Sequence, residues 1–286
     1  MIKETETAEN HKYRYYTYSH LCCYVCCYPV YKNVLHTGDL MTILVKIAYD
    51  GTNYHGFQIQ DDVTTVFGVF QDALLKILGH KTDIKGCSRT DSGVHAACYY
   101  LSFETEKQLN IPRLPLALNA NLPMDIRVLE ARQVADGFHA RYDCKGKQYT
   151  YYIRNSHIDD PFTNKYYWRV PAALDADRMN RAAQYFVDTH DFRSFMAAKS
   201  KITDCTRTVY SAKVERIGDM VVFTVSADGY LYNMVRIMVG TLVNVGKGIW
   251  QPQQVADIIS AANRDVAGPT APPQGLFLTD VFYDFE

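Results

Sequence analysis

The pattern of apolar and polar residues changes abruptly at Met41. Residues 1–40 are rich in Tyr and Cys and follow neither the strand period nor the helix period. From Met41 onward, the sequence MTILVKIAYDG is typical of an apolar strand that ends in a turn. We therefore expect residues 1–40 to be a non-native or disordered extension, and Met41 to be the biological start of the chain.

Residues 41–137 combine strand patterns with one clear helix. The helix is predicted over Val66–Leu78, and Gly79 can end it. Its apolar face is formed by Phe70, Ala73, Leu74 and Ile77. Strands are predicted over 43–48, 97–103 and 126–131, with a short helix between the last two.

Residues 138–286 repeat this mixture. The segment KQYTYYI alternates, with Tyr149, Tyr151 and Ile153 on one face, and a hairpin is expected around Gly218-Asp219. Helices are predicted over 175–187, where Asp175 can cap the start, over 234–245 and over 253–262, and a closing strand over 275–283. Two parts that each mix antiparallel strands with helices indicate an α+β protein with halves 41–137 and 138–286.

Composition and charge restrict the function less than the pattern does. The chain has 286 residues, 48% hydrophobic and 21% charged, which is typical of a globular protein. Its formal net charge is -1, whereas proteins that bind nucleic acid are usually basic. A surface for RNA would therefore be a local basic patch or be assembled from two subunits.

The sequence carries no signal for membrane insertion or for export. No apolar run reaches the roughly 18 residues of a membrane span, and the N-terminus lacks a basic start followed by an apolar stretch. We therefore expect a cytoplasmic protein without a membrane partner.

Eight cysteines fall into two groups. Four are isolated, and we expect them to be reduced and mostly buried thiols: Cys87, Cys98, Cys144 and Cys205. The cluster CCYVCC, residues 22–27, has the paired spacing of zinc ligands, but no second His or Cys pair follows at a familiar distance. We favour an unstructured extension over a metal knuckle and expect no metal site.

The densest polar cluster is CSRTDSGVHA, residues 87–96, directly before an apolar strand. Ser, Asp and Gly favour turns, so a loop is predicted that enters this strand. A carboxylate at such a junction is held rigidly and stays accessible, which makes Asp91 a candidate for chemistry. The alternative is a polar turn in which Asp91 bonds its own backbone.

Arg236 lies within the apolar helical segment NMVRIMVGTL. A guanidinium there is costly unless it reaches solvent or pairs with a carboxylate. A two-point pair would keep the carboxylate ionised and oriented. Tyr149 and Tyr151 offer aromatic surface and phenol groups, with core packing as the alternative. A Gly-rich phosphate loop, H-E-x-x-H and G-x-S-x-G are absent from the sequence, which excludes several enzyme classes.

These segments, in their order, resemble the TruA family of tRNA pseudouridine synthases. The resemblance runs from Met41 to the C-terminus and rests on YDGTNYHGFQIQ, SRTDSGVHA, LNANLPMDIRV, FHARYDCKGKQYTY, HDFRSF, GYLYNMVRIMVGTL and APPQGL. Any one motif is weak, whereas their number and order are specific. Ser88 and Ser92 stand where many relatives have Gly and Ala, and Phe57 where many have Trp, which leaves the candidate catalytic residues unchanged.

The resemblance implies two ferredoxin-like or RRM-like halves that form a continuous, mostly antiparallel sheet with a central active-site cleft. It also implies that Asp91 is the catalytic nucleophile, that Arg236 pairs with it and that Tyr149 contacts the target base. Arg89 is expected to help displace the target nucleotide, and Tyr151 to contact substrate beside Tyr149.

The implied reaction is isomerisation of uridine to pseudouridine at positions 38, 39 and 40 of the tRNA anticodon arm, which requires neither a metal nor a redox cofactor. A homodimer is implied, with one tRNA spanning both subunits. The alternative is an inactive tRNA-binding protein of the same fold. Candidates for a basic patch are Arg141, Lys145, Lys147, Lys199 and Lys201, each of which can equally be a solvated surface charge.

Overall fold

One sheet of ten strands runs through residues 40–198 and 202–285, which are the residues that the computed structural model describes. In chain order the strands are β1 (Met41–Tyr49), β2 (Ile84–Gly86), β3 (His95–Thr105), β4 (Ile126–Val134), β5 (Gly146–Arg154), β6 (Trp168–Arg169), β7 (Asp188–Asp191), β8 (Thr206–Ile217), β9 (Met220–Ala227) and β10 (Leu276–Phe282). The α-helices are α1 (Val66–Leu78), α2 (Leu114–Asn119), α3 (Ala176–Ala183), α4 (Met234–Gly246) and α5 (Gln254–Ala261).

The last strand, β10, joins the two halves of the sheet. The strand order is β4-β1-β3-β10-β5-β9-β8-β7, with β2 paired to β3 and β6 paired to β5. Strand β10 pairs in parallel with β3, through Phe277 with His95 and Leu278 with Ala96, and antiparallel with β5. Among the described strands, only the β10–β3 and β5–β6 pairs are parallel. The predicted α+β class with a continuous, mostly antiparallel sheet is therefore confirmed.

The boundary between the two halves is not marked by a break in the sheet. The division into residues 41–137 and 138–286 therefore stays a prediction. Residues 1–39 of the predicted extension, with the CCYVCC cluster, fall outside the described residues. Within the described part of the chain, no helix is both long enough and apolar enough to cross a membrane.

Helix α1 has the bounds that its sequence pattern predicts. Thr65 caps its start by accepting a hydrogen bond from the N–H of Gly68 at 3.2 Å. Gly79 ends it in the left-handed conformation, with a φ of 88° that glycine adopts without steric cost. The predicted apolar face packs into the core, with Phe70, Ala73 and Leu74 buried and Ile77 partly buried.

The second half differs from the prediction mainly in its short elements. The helix predicted over 175–187 ends as an α-helix at Ala183 and continues as a 3-10 turn, Gln184–Phe186. Asp175 caps its start, as predicted, by accepting from the N–H of Arg178 at 2.9 Å. The pattern does not predict β7, because its sequence DTHD is polar and this edge strand buries no alternating face.

Helix α4 is buried on nearly every side, as its apolar sequence predicts. The segment 268–271 packs directly against this helix. A Cβ atom added at Gly240 would overlap the carbonyl oxygen of Pro269. Only glycine therefore allows the helix backbone and this segment to come so close.

Two hydrogen bonds fix the segment 268–271 on helix α4. The N–H of Gly268 donates to Thr241 Oγ1 at 3.0 Å. The N–H of Ala271 donates to the carbonyl oxygen of Arg236 at 3.0 Å. The segment is thus held beside Arg236 before it leads into β10.

We expect Gly240→Ala to destabilise the protein, because the added methyl group forces α4 and Pro269 apart. Overpacking of a core costs about 1–3 kcal/mol, and urea unfolding of the purified chain measures this cost. Gly68→Ala in α1 is the matched control, because its new Cβ would lie 3.4 Å from Thr65 Oγ1 and Ala favours a helix over Gly by about 1 kcal/mol. A Gly240→Ala variant as stable as the control would contradict the close packing.

Candidate active site

The loop between β2 and β3, residues 87–94, carries Asp91 and turns sharply into β3. The N–H of Val94 donates to the carbonyl oxygen of Asp91 at 3.2 Å, and Gly93 has a φ of 76°. This left-handed value favours glycine and accounts for the Gly in SRTDSGVHA. The turn fixes the Asp91 backbone at the start of a central strand.

A second segment, residues 54–57, holds this loop in place. The N–H of Phe57 donates to the carbonyl oxygen of Thr90 at 3.3 Å. Gly56 leaves room for that carbonyl oxygen, which a Cβ atom would approach to 2.5 Å. On the other side, the hydroxyl of Tyr49 lies 2.8 Å from Thr90 Oγ1. The residue preceding Asp91 is therefore anchored through both its backbone and its side chain.

Asp91 meets Arg236, which projects from the first turn of α4. Arg236 Nη1 lies 3.1 Å from Asp91 Oδ2, and the two side chains are only 15% and 23% exposed, respectively. A charge-assisted hydrogen bond in such a setting is stronger than an ion pair on an open surface. The structure thus brings together a carboxylate and a guanidinium that lie 145 positions apart in the sequence.

Arg236 divides its hydrogen bonds among three acceptors. Besides Asp91, Nη1 donates to Asn233 Oδ1 at 2.8 Å, and Nε donates to the carbonyl oxygen of Ala271 at 2.7 Å. The two-point pair with the carboxylate is therefore wrong, because Nε is committed to Ala271 and Nη1 is shared with Asn233. The orientation of the guanidinium is set by protein groups as well as by its charge partner.

Burial and Arg236 act on the Asp91 carboxyl group in opposite directions. Burial raises the pKa of Asp91, because a charge is poorly solvated inside a protein, and Arg236 lowers it through its charge and its hydrogen bond. Burial has the larger effect, so the pKa of Asp91 lies above its usual value. Without Arg236 it would rise further, and less of the carboxylate would be ionised.

Tyr149, on strand β5, is buried beside the Asp91 loop, with 5% of its surface exposed. Its hydroxyl lies 3.3 Å from Ser88 Oγ. Its ring meets the ring of Tyr230 edge to face, with 4.9 Å between the ring centroids. Burial raises the pKa of Tyr149 well above its usual value, so the phenol stays protonated.

Asp91, Tyr149 and Arg236 all line one open cleft of about 870 Å³. Arg89 lines the same cleft and is exposed beside Asp91. Ligand-binding clefts in proteins commonly have volumes of about 300–1,000 Å³, so this cleft has room for a nucleotide. Four of the five predicted site residues therefore line this one cleft.

The fifth predicted site residue, Tyr151, is not among the residues that line the cleft. Its side chain is fully buried, and its hydroxyl donates to the carbonyl oxygen of Pro272 at 2.7 Å. The expected contact between Tyr151 and substrate is therefore not supported. Tyr151 instead packs in the core. It secures the backbone next to Ala271, which receives the hydrogen bond from Arg236 Nε.

The predicted basic patch is only partly at the cleft. Arg141 and Lys147 line it, and Arg207, which the sequence did not indicate, lines it too. Lys145 does not line the cleft, and its Nζ lies 3.7 Å from Asp284 Oδ2 on the surface. The other two candidates, Lys199 and Lys201, fall outside the described residues.

Three further contributors to the site were missed by the sequence reasoning. The carbonyl of Ala271 carries no signal, because any residue has one. Asn233 stands where a helix cap is expected, and the sequence does not reveal its contact with Arg236. Ser88 was noted only as a departure from relatives, yet its hydroxyl lies against that of Tyr149.

Comparisons with known proteins identify the family of this chain. A family model described as tRNA pseudouridine synthase matches residues 46–143 and 182–284, which include Asp91 and Arg236. The chain is 43% identical to tRNA pseudouridine synthase A of Thermoanaerobacter sp. (strain X514) over 244 residues, covering 85% of this chain and 100% of that protein.

Two further relatives carry the same name. The chain is 45% identical to tRNA pseudouridine synthase A of Moorella thermoacetica, covering 84% of this chain and 98% of that protein. It is 42% identical to tRNA pseudouridine synthase A of Bacillus pumilus, covering 85% of this chain and 100% of that protein. The expected isomerase class is confirmed, and the alternative of an inactive protein finds no support. The chain belongs to the tRNA pseudouridine synthase family.

Proposed function

We propose that this chain converts uridine to pseudouridine at positions 38, 39 and/or 40 in the anticodon arm of tRNA, with Asp91 as the nucleophile. The observation that carries the proposal is the contact between Asp91 and Arg236, at 3.1 Å, within a cleft large enough for a nucleotide. Family membership supplies the reaction, and the geometry supports the choice of residues for it.

The reaction rearranges bonds within one nucleotide. The bond between N1 of uracil and C1′ of ribose breaks, and a bond between C5 and C1′ forms. C5 loses its proton and N1 gains one, so no other reactant is consumed. An ionised carboxylate can serve this reaction by attack at C1′ or C6 or by removal of the C2′ proton, and Asp91 is the carboxylate beside Arg236 in the cleft.

Arg236 helps to keep Asp91 ionised, and Asp91 must be ionised to act as a nucleophile. A pocket that excludes water from the open intermediate also raises the pKa of a buried carboxyl group. The positive charge of Arg236 opposes that rise and keeps a larger fraction of Asp91 ionised. The same contact orients Oδ2, which leaves the other carboxylate oxygen for the substrate.

Tyr149 is assigned to contact with the target base. Its phenol stays protonated, so it is poorly suited to accept the C5 proton. Its buried ring instead offers a neutral face on which uracil can stack. Displacing a stacked base costs a few kcal/mol, and the exposed guanidinium of Arg89 at the cleft can occupy the vacated space and bind phosphate.

Binding of tRNA is proposed to use two copies of the chain. The net charge of -1 gives a single copy little general attraction for RNA. Arg141, Lys147 and Arg207 form a modest basic surface at the cleft, and two such surfaces can add. The assembly is thus proposed as a homodimer that one tRNA spans.

Asp91→Ala should reduce pseudouridine formation to less than about one thousandth of the wild-type rate, because the attacking carboxylate is lost. Release of tritium from tRNA that carries tritium at C5 of uridine measures the rate. Filter binding should show tRNA affinity within a few-fold of wild type. Ser92→Ala, at the neighbouring position, is the control and should keep nearly full activity. Catalysis retained by Asp91→Ala would refute the assignment.

Arg236→Lys should reduce the rate by about ten- to a hundredfold, because an ammonium cannot reproduce three directed hydrogen bonds. The pKa of Asp91 should also rise, so the acid side of the pH–rate profile should move to higher pH. Tritium release over a range of pH measures both effects. Arg141→Lys, which keeps a positive charge at the exposed rim, should leave the profile in place. An unchanged profile in Arg236→Lys would contradict the role of Arg236.

The homodimer should appear in sedimentation of the purified chain at micromolar concentration, with one tRNA bound per two chains. Binding should weaken steeply as salt is raised, because phosphate contacts release counterions. A monomer that binds tRNA with an affinity insensitive to salt would argue against this assembly.

A further inference from the structure

Asn233, directly before helix α4, has an uncommon backbone conformation. Its φ is 62° and its ψ is 9°, which lies in the left-handed region. L-residues seldom adopt this region, and Asn is among the few that tolerate it. Strained conformations of this kind persist only where the surrounding structure enforces them, and they are frequent at functional sites.

The side chain of Asn233 does not do what its position suggests. A residue before a helix usually accepts a hydrogen bond from an N–H of the first turn. Asn233 makes no such capping bond. Its Oδ1 instead accepts from Arg236 Nη1 at 2.8 Å, three residues along the chain. The amide oxygen therefore contacts the guanidinium and does not cap the helix.

This contact completes the fixation of the guanidinium. Nη1 carries two hydrogen atoms, one directed to Asp91 Oδ2 at 3.1 Å and the other to Asn233 Oδ1. Nε directs its hydrogen atom to the carbonyl oxygen of Ala271 at 2.7 Å. Without the amide of Asn233, rotation about the side-chain bonds of Arg236 could carry Nη1 away from Asp91, because the contact with Ala271 holds only Nε. The amide of Asn233 prevents that rotation.

We propose that Asn233 is a positioning residue for the isomerisation, whose left-handed backbone turns its amide oxygen onto Arg236 and thereby aims Arg236 at Asp91. The inference rests on the proposed function, since it acts through the pair that the function requires. It adds a residue that lines the cleft and acts through Arg236. The side chain of Asn233 makes no capping bond to the helix that it precedes.

Asn233→Gly separates this role from a purely structural one. Glycine adopts the left-handed conformation freely, so the variant keeps the turn and loses only the amide. Its thermal midpoint should equal or exceed that of wild type, and tRNA affinity should stay within about twofold. Tritium release should nevertheless fall about tenfold, as expected for loss of a hydrogen bond to a charged group. The acid side of the pH–rate profile should also move to higher pH.

Ala262→Gly is the matched control. Ala262, at the end of α5, also has a left-handed backbone, with a φ of 46°, and does not line the cleft. Its replacement relieves the same kind of strain without touching Arg236. Activity and pH–rate profile should match those of wild type.

A double-mutant cycle tests whether Asn233 acts through Arg236. In an Arg236→Lys background, Asn233→Gly should change the rate by no more than about twofold, because the guanidinium that it positions is already absent. Wild-type activity in the same assay establishes the proposed function independently. Given that activity, a rate within twofold of wild type for Asn233→Gly alone would overturn the inference. So would a tenfold loss repeated in the Arg236→Lys background.

Discussion

The contact between Asp91 and Arg236 governs how the described parts of the chain must be arranged around the cleft. Each side chain is a charge held largely out of water, and each would be costly there without the other. The carboxylate comes from the loop between β2 and β3, and the guanidinium comes from helix α4. The fold must therefore deliver two distant parts of the chain to a separation of 3.1 Å and hold them there.

Strand β10 and helix α4 meet this requirement together. Strand β10 lies between β3, which follows the Asp91 loop, and β5, which carries Tyr149. The segment that leads into β10 lies on α4, close enough that Gly240 has no room for a side chain. The carbonyl of Ala271, in this segment, accepts from Arg236 Nε. The same stretch of chain thus closes the sheet and orients the guanidinium.

Local patterns predicted the elements that are stabilised locally. Helix α1, with Thr65 and Gly79 at its ends, has the predicted bounds because cap, period and stop signal agree. The hairpin of β8 and β9 likewise turns at Gly218-Asp219, as predicted. The place of β10 in the middle of the sheet has no local signal, because strand order depends on contacts between distant segments.

The candidate site shows the same limit. From the residues alone, Asp91 can be a turn residue and Arg236 a solvated charge. Only the ordered family motifs indicate that the two side chains form a pair. Alternation along β5 predicted the shared face of Tyr149 and Tyr151, but not that Pro272 would take the hydroxyl of Tyr151. The role of Asn233 depends on a left-handed backbone, which the sequence permits without requiring.

Titration of the Asp91 carboxyl group tests whether Arg236 keeps this carboxylate ionised. Carbon-13 NMR of aspartate-labelled protein, with Asp91 assigned by comparison with Asp91→Asn, follows its ionisation in the free enzyme and in Arg236→Lys. The buried pair of Asp91 and Arg236 predicts a pKa of Asp91 above the usual value of about 3.9, with the carboxylate still ionised at neutral pH, and a further rise of this pKa in Arg236→Lys. An Asp91 that is protonated at neutral pH, or a pKa that does not respond to Arg236→Lys, would contradict this prediction.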